Sequence, residues 1–464
     1  MNRLSYSETA GKYPIVQNEY LRGEIRSLLQ ESNIRIVVLD DDPTGIQTVQ
    51  GNYLLTDWKP QNIRAALSDD IPFFYLLTNT RAMTAPDAEA TVREAVNAVL
   101  DANGDFGYKL VFISRSDSTL RGHFPLEPET IREEIGKRGI QVTVPTIFTP
   151  AFFEAGRYTV GGVHYLKDGD ELVPVAETEF ARDNVFGYTH SDLAGYIFEK
   201  SGGSISPGQI RHIALEELRS GDTEKLENTI RDSAGKAYIT LDALDYGDLR
   251  KFATAFLHLI ARSNGYAVLR TSSSLPKAMT GLADQPLIDS TTLAARHSGG
   301  LFIVGSHVRK TTSQLECLLN TPGVQGVETD IHEILRTPEE LLSKTETKLL
   351  DLHRQGIVPV VYTSRQELRL DDPEERQLVG QRISAFLVDI VKNLPFKPAY
   401  LVAKGGITSH DILTEGLGIQ RARVLGQVLP GVPAVLTAEG MPYIIFPGNV
   451  GSEEGLREVY VRLG

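Results

Sequence analysis

Ile34-Arg-Ile-Val-Val-Leu-Asp-Asp-Asp-Pro-Thr-Gly-Ile-Gln47 opens with a short β-branched apolar run and closes on three carboxylates and a turn. The run reads as a strand buried on both faces. Pro43-Thr44-Gly45 is the turn signal that follows it. In an open α/β sheet, ligands bind outside the carboxyl ends of the strands. Acidic side chains at such an end can hold a cation or take a proton from a hydroxyl. An acidic turn that only solvates the strand end is the plainer alternative.

Outward from this stretch, strands and helices alternate. Gln50–Thr56, Pro72–Leu77 and Tyr108–Ile113 read as further strands, with helices over Pro86–Leu100 and Glu127–Lys137. Gln141–Phe148 is another strand, and Ala155–Leu166 alternates around Gly161-Gly162 as a hairpin would. Ala237–Leu241 and Tyr266–Leu269 resume the alternation. From Thr271 to Gly300 the chain is rich in Ser, Thr, Ala and Gly without sustained periodicity. Beyond it the same grammar returns in strands at Leu301–Val304, Val324–Thr329, Ile357–Tyr362, Ala399–Ala403, Val424–Val428 and Tyr443–Phe446. The pattern predicts an α/β protein of two domains, each a largely parallel sheet flanked by helices, with an antiparallel hairpin insertion in the first. The expected boundaries are a polar lead-in over 1–33 with a helix near Tyr20–Gln30, a first domain over 34–275, a connection over 276–299 and a second domain over 300–464.

Bulk properties narrow the function classes. At 464 residues the chain exceeds the size at which single cores stop growing. A net charge of −13 argues against a general nucleic-acid or anionic-membrane binder. Cys317 is the only cysteine, so no internal disulfide or multi-cysteine zinc site can form. The N-terminus lacks a signal-peptide core and no apolar run would span a bilayer, which makes the cytoplasm the expected compartment.

Three Gly-rich turns follow strands of the second half: Gly305-Ser306-His307, Lys404-Gly405-Gly406-Ile407-Thr408-Ser409 and Gly448-Asn449-Val450-Gly451. Glycines there let a ligand approach the backbone, whose amides can hold phosphate oxygens. One helix end contributes only about 0.3–1 kcal/mol to an anion, so several must converge. Gly305–Thr312 has the lysine and threonines of a P-loop but not its second glycine, and no Gly-x-Gly-x-x-Gly fingerprint exists. In the first half, Arg115-Ser-Asp-Ser-Thr-Leu-Arg-Gly122 gathers two guanidiniums, a carboxylate and hydroxyls at a strand end. Such a loop fits a small hydroxy acid; a salt-bridged helix cap is the alternative. Asn79 and Arg81 stand at a neighbouring strand end. Histidines 123, 164, 190, 307 and 410 lack metal-ligand spacing and read as structural or surface groups.

Together these motifs resemble the four-carbon acid sugar kinase family over nearly the whole chain. The markers are Asp41-Asp42-Pro43-Thr44-Gly45, Asp117-Ser-Thr-Leu-Arg-Gly122, Gly156-Arg-Tyr-Thr-Val160, Gly305-Ser306, Lys404–Ser409 and Gly448–Gly451. The resemblance implies an N-terminal domain that binds a sugar acid and a C-terminal domain that binds ATP. It further implies phosphorylation of a hydroxyl on acids such as threonate, erythronate, 3-oxo-tetronate or, in a related branch, 3-oxo-isoapionate. Departures from the common pattern fall at Pro43, Arg115, His123, His307 and Ile407, which marks a distinct subgroup. On this reading Asp41 or Asp42 orients and deprotonates the attacking hydroxyl. Arg115 and Arg121 hold the carboxylate, Asp117, Ser118 and Thr119 bind hydroxyls, and Asn79 and Arg81 face the same pocket. Ser306, Lys404, Gly405, Gly406, Ile407, Thr408, Gly448 and Asn449 surround the nucleotide, with Mg²⁺ bridging its phosphates. The partner is then a small-molecule acid rather than nucleic acid or membrane, and the lead-in is expected to brace the domain or a homo-oligomer contact. A non-catalytic sugar-acid sensor and an NAD-linked dehydrogenase are the rival classes, the latter disfavoured by the missing fingerprint.

Overall fold

Buried apolar strands and amphipathic helices are realised in turn along the chain in the computed structural model, which describes residues 3–16, 18–288, 299–365 and 373–463. Contacts divide the chain into Met1–Asp284 and Gln285–Gly464. The connection expected over 276–299 lies partly outside the described residues. Its described start is a helix, Ser274–Thr280, nearly all of whose residues are buried. A helix covered on every side has no polar stripe, so periodicity could not reveal it.

In the first unit the strands are β1 (Leu4–Ser5), β2 (Ile34–Asp40), β3 (Tyr53–Leu55), β4 (Phe73–Leu77), β5 (Lys109–Arg115), β6 (Thr146–Thr149), β7 (Arg157–Val160), β8 (Val163–Asp168), β9 (Glu171–Pro174), β10 (Ile210–Ile213), β11 (Tyr238–Leu241) and β12 (Ala267–Thr271). A wholly parallel sheet runs β10-β11-β6-β12-β5-β2-β4-β3. One face carries Leu39, Phe74, Phe112 and Val268, packed on Val92 and Val96 of helix Ala85–Asn103 and Ile131 of helix Leu126–Lys137. The predicted hairpin is β7-β8, and it grows into a four-stranded antiparallel sheet, β1-β9-β8-β7. The polar lead-in is therefore an integral part of this unit. Its β1 pairs with β9, and Asn18 donates to the Gly247 carbonyl at 2.8 Å while accepting from Arg250 at 3.0 Å.

The second unit contains β13 (Gly300–Val304), β14 (Val324–Thr329), β15 (Val358–Thr363), β16 (Tyr400–Lys404), β17 (Arg421–Leu429), β18 (Val432–Leu436) and β19 (Pro442–Phe446). Its order is β17-β18-β19-β16-β13-β15-β14, parallel from β19 to β14 and antiparallel at β17 and β18. The sequence reading places a strand at Val424–Val428 and none at β18, although Pro430-Gly431 is a turn signal between the two apolar runs. Phe302, Val402 and Ile444 of the three central strands form the core with Leu456 and Val459 of the last helix. No helix among the described residues is long and apolar enough to cross a membrane.

Candidate functional site

The carboxyl ends of β2, β4, β5 and β12 lie side by side in the first unit, with Asp40 in register with Leu77 and Arg115 and Arg115 in register with Thr271. Successive side chains alternate faces, so the three aspartates take different surroundings. Asp40 is wholly buried and accepts from Arg115 Nη1 at 3.1 Å, while its Oδ2 has no partner among the described residues. Burial above all, opposed by Arg115 and reinforced by Asp41 and Asp42, pushes its carboxyl up to about 7. Gly45 folds the turn back over this carboxylate, where a Cβ would stand 2.0 Å from Asp40 Oδ2. Glycine is required there by that close approach.

Asp41 is also buried and fully engaged. It accepts from Arg81 Nε at 3.0 Å, from Arg81 Nη2, and from Ser116 Oγ at 2.5 Å. Asp42 is 22% exposed. Thr44 donates to its Oδ1 from backbone and hydroxyl, and Arg81 Nη1 stands 3.3 Å from its Oδ2. Burial opposes its charge, but Arg81, Arg115 and the Thr44 hydrogen bonds outweigh burial and hold the carboxyl below its usual range. Asn79 takes a left-handed backbone (φ 52°) and, with Thr78, donates its amide to the Asp40 carbonyl, which ties the β4 end to β2.

Arg115 does not stand open to a ligand in this structure. It is buried between Asp40 and Ser273, whose hydroxyl it reaches at 3.2 Å. Asp117 accepts from Arg121 Nε at 2.7 Å and from Thr119 Oγ1. Against the cost of burial, Arg81 and Arg121 keep its carboxyl well below the usual carboxylate range. The loop itself is held by His164, which reads from the sequence as a structural or surface group, and by two tyrosines that the sequence did not single out. The Ser118, Thr119 and Leu120 carbonyls lie against His164 Nε2 at 2.8 Å, Tyr188 Oη at 2.7 Å and Tyr196 Oη at 2.7 Å. Leu120 adopts φ 66°, an expensive conformation for a branched residue that these anchors maintain. Burial drives the His164 imidazole down to about 4, so it is neutral and donates through Nε2 while Nδ1 faces Thr159 Oγ1 at 3.0 Å. A second buried network, equally unread in the sequence, joins Glu127 to Thr80, Ser114 and Arg270 at 2.5–2.8 Å and braces the strand ends from beneath.

In the second unit the turns after β13, β16 and β19 meet around Ser306. A Cβ on Gly305 would stand 2.1 Å from Thr408 Oγ1, one on Gly405 3.2 Å from Ser306 Cβ, and one on Gly448 3.1 Å from Ser306 Oγ. Thr311 joins two of the turns, donating to Ser306 Oγ at 3.0 Å or the Gly448 carbonyl at 3.2 Å. Lys404 is fully buried; its Nζ donates to the Pro447 and Gly448 carbonyls at 2.6 and 3.2 Å and lies 3.9 Å from the Phe446 ring centre. The lysine thus shapes the third turn from within rather than projecting outward. Ile407, 65% exposed, stands on the rim of the second turn, and Lys310 Nζ reaches the Asn449 carbonyl at 3.5 Å. Gly406 opens the short helix that buries Thr408.

Burial, with the charge of Lys310, pushes the Lys404 ammonium down to about 7. Between that value and the ordinary lysine range the unfolded chain binds the extra proton, so this group's contribution to stability rises with pH. The melting temperature of the wild type relative to Lys404→Met should therefore climb from pH 7 to pH 10. A difference that stays flat would place the ammonium in solvent.

The chain matches two family models, a sugar-binding N-terminal domain over residues 36–279 and a nucleotide-binding C-terminal domain over residues 301–456. It is 29% identical over 433 residues to a D-threonate kinase of Bordetella bronchiseptica, covering 91% of this chain and 95% of that one. With a D-erythronate kinase of Heliobacterium modesticaldum it shares 24% identity over 359 residues, 75% of this chain and 69% of the relative. A solved Haemophilus influenzae protein has the same fold at a TM-score of 0.67 and 15% identity, over 92% of this chain and all of that one.

Proposed function

Because the chain belongs to the four-carbon acid sugar kinase family, we propose that it is an ATP-dependent kinase acting on a hydroxyl of a small sugar acid. The substrate class is a four-carbon acid such as threonate, erythronate or 3-oxo-tetronate, or a branched five-carbon acid such as 3-oxo-isoapionate. The observation that carries this reading is Asp42, an ionised, partly open carboxylate at the end of a central strand, held beside Arg81. Phosphoryl transfer depends on positioning and charge stabilisation more than on covalent help from the protein. Asp42 Oδ2 orients the substrate hydroxyl and accepts its proton, and Arg81 fixes that oxygen's direction. Asp41, spent on Arg81 and Ser116, is a positioning residue. The hydroxyl groups of the acid are received by the Asp117–Thr119 loop and Asn79.

The nucleotide phosphates are received by the backbone around Gly305, Gly405, Gly406 and Gly448, with Ser306 and Thr408 alongside. The three turns fit that role because they pack closely around Ser306 and Thr408, where a Cβ at Gly305 would clash outright and one at Gly405 or Gly448 would crowd Ser306. Mg²⁺ bound with the nucleotide would supply charge neutralisation during transfer.

Coupled ADP release against a panel of tetronates and oxo-acids tests the proposal. Acid-dependent turnover is expected with at least one of them. Well-folded protein that turns over none, and that NAD rather than Mg²⁺-ATP stabilises against melting, would sink it.

A further inference from the structure

Arg157, the first residue of β7, belongs to no site described so far. Resting on the kinase reading above, we propose that Arg157 is the residue that receives the carboxylate of the acid substrate.

The charges of the first unit's site leave this role open. Arg81 is paired with Asp41 and Asp42, Arg115 with Asp40, and Arg121 with Asp117. Arg157 makes no ion pair among the described residues. Among the described residues its guanidinium makes one hydrogen bond, from Nη1 to the Ala155 carbonyl, and its Nε is buried without a partner. A guanidinium has five donors in a planar fork that matches a carboxylate. Here that fork is largely unspent.

Strand geometry aims it at the right place. Along β7, Tyr158 points into the cluster with Tyr6 and Phe153, so Arg157 and Thr159 share the opposite face. Thr159 bonds His164 on that face, and His164 in turn holds the Ser118 carbonyl. The face bearing Arg157 is therefore the one laid on the Asp117–Gly122 loop. Burial pulls the Arg157 guanidinium down from its usual value; Asp117 opposes that shift without outweighing it, and Arg121 adds to it, so the group lies within electrostatic reach of the loop. An anion entering the loop from solvent supplies the missing partner. The hydroxyl-bearing carbons of the acid then extend towards Asp117 and Asp42.

The test is equilibrium binding of threonate, erythronate and 3-oxo-tetronate by calorimetry to the full chain and to two variants. For the acid that binds best, Arg157→Gln should weaken affinity about 10- to 100-fold, the equivalent of one charge-assisted contact. Arg157→Lys should recover part of that loss, since it restores the charge but not the fork. ATP affinity and melting temperature should stay near wild type in both. Acid affinity within threefold of wild type in Arg157→Gln would overturn the assignment alone. A parallel loss of ATP affinity and melting temperature would make the residue structural instead. Failure of all three acids to bind the wild-type chain would remove the acid-binding reading and this assignment with it.

Discussion

Asp42→Asn should reduce kcat about 10²- to 10⁴-fold, the usual contribution of a positioned general base, while ATP affinity and melting temperature stay near wild type. The expectation follows from how the carboxylates are spent. Asp42 has one oxygen occupied by Thr44 and another that, among the described residues, only Arg81 approaches, at 3.3 Å. An asparagine fits the same space and keeps the Thr44 contacts, but cannot take a proton. Asp41→Asn should behave differently. Asp41 is buried and bonded to two guanidinium nitrogens and a hydroxyl. Neutralising one partner of a buried pair costs about 3–5 kcal/mol, so that variant should melt earlier as well as turn over slowly. Steady-state kinetics with paired melting curves separate the two. Should Asp42→Asn keep its kcat and Asp41→Asn lose it without melting earlier, the base is Asp41.

Gly305→Val should lower ATP affinity by roughly 100-fold or more, the equivalent of two lost charge-assisted hydrogen bonds of about 1.5–3 kcal/mol each. A Cβ at this position would stand 2.1 Å from Thr408 Oγ1, so the first and second turns must separate and their amides no longer converge. Sugar-acid binding, which is proposed for the first unit, should be unchanged. Direct nucleotide titration checks this, and an unaltered ATP dissociation constant would take these turns out of the nucleotide site.

The strand and helix alternation was legible because apolar runs and amphipathic stripes are local signals. The acidic strand end and the Gly-rich turns were legible for the same reason. Pairings between distant residues were not. Arg115 reads as a free guanidinium in its own loop, and only the register of β5 on β2 reveals that Asp40 consumes it. Asp40 itself looks like one more residue of an acidic run until burial sets it apart. His164, Tyr188 and Tyr196 carry no motif, since each acts through a single bond to a carbonyl of a loop far away in sequence. Lys404 sits inside a recognisable motif, yet its ammonium turns inward to carbonyls of another strand's turn. The sequence marks where chemistry gathers. It does not say which charges are already taken.

The meeting of three turns at Ser306 also bears on how the second unit folds. Gly305 follows the first strand of that unit and Gly448 the last, so no contiguous segment forms the proposed phosphate cradle. Contacts of such long sequence separation form only after the loop-closure cost has been met, late in folding. On the proposed reading, nucleotide binding would report completion of the unit, and ATP present during refolding would stabilise the finished state without accelerating the steps before it.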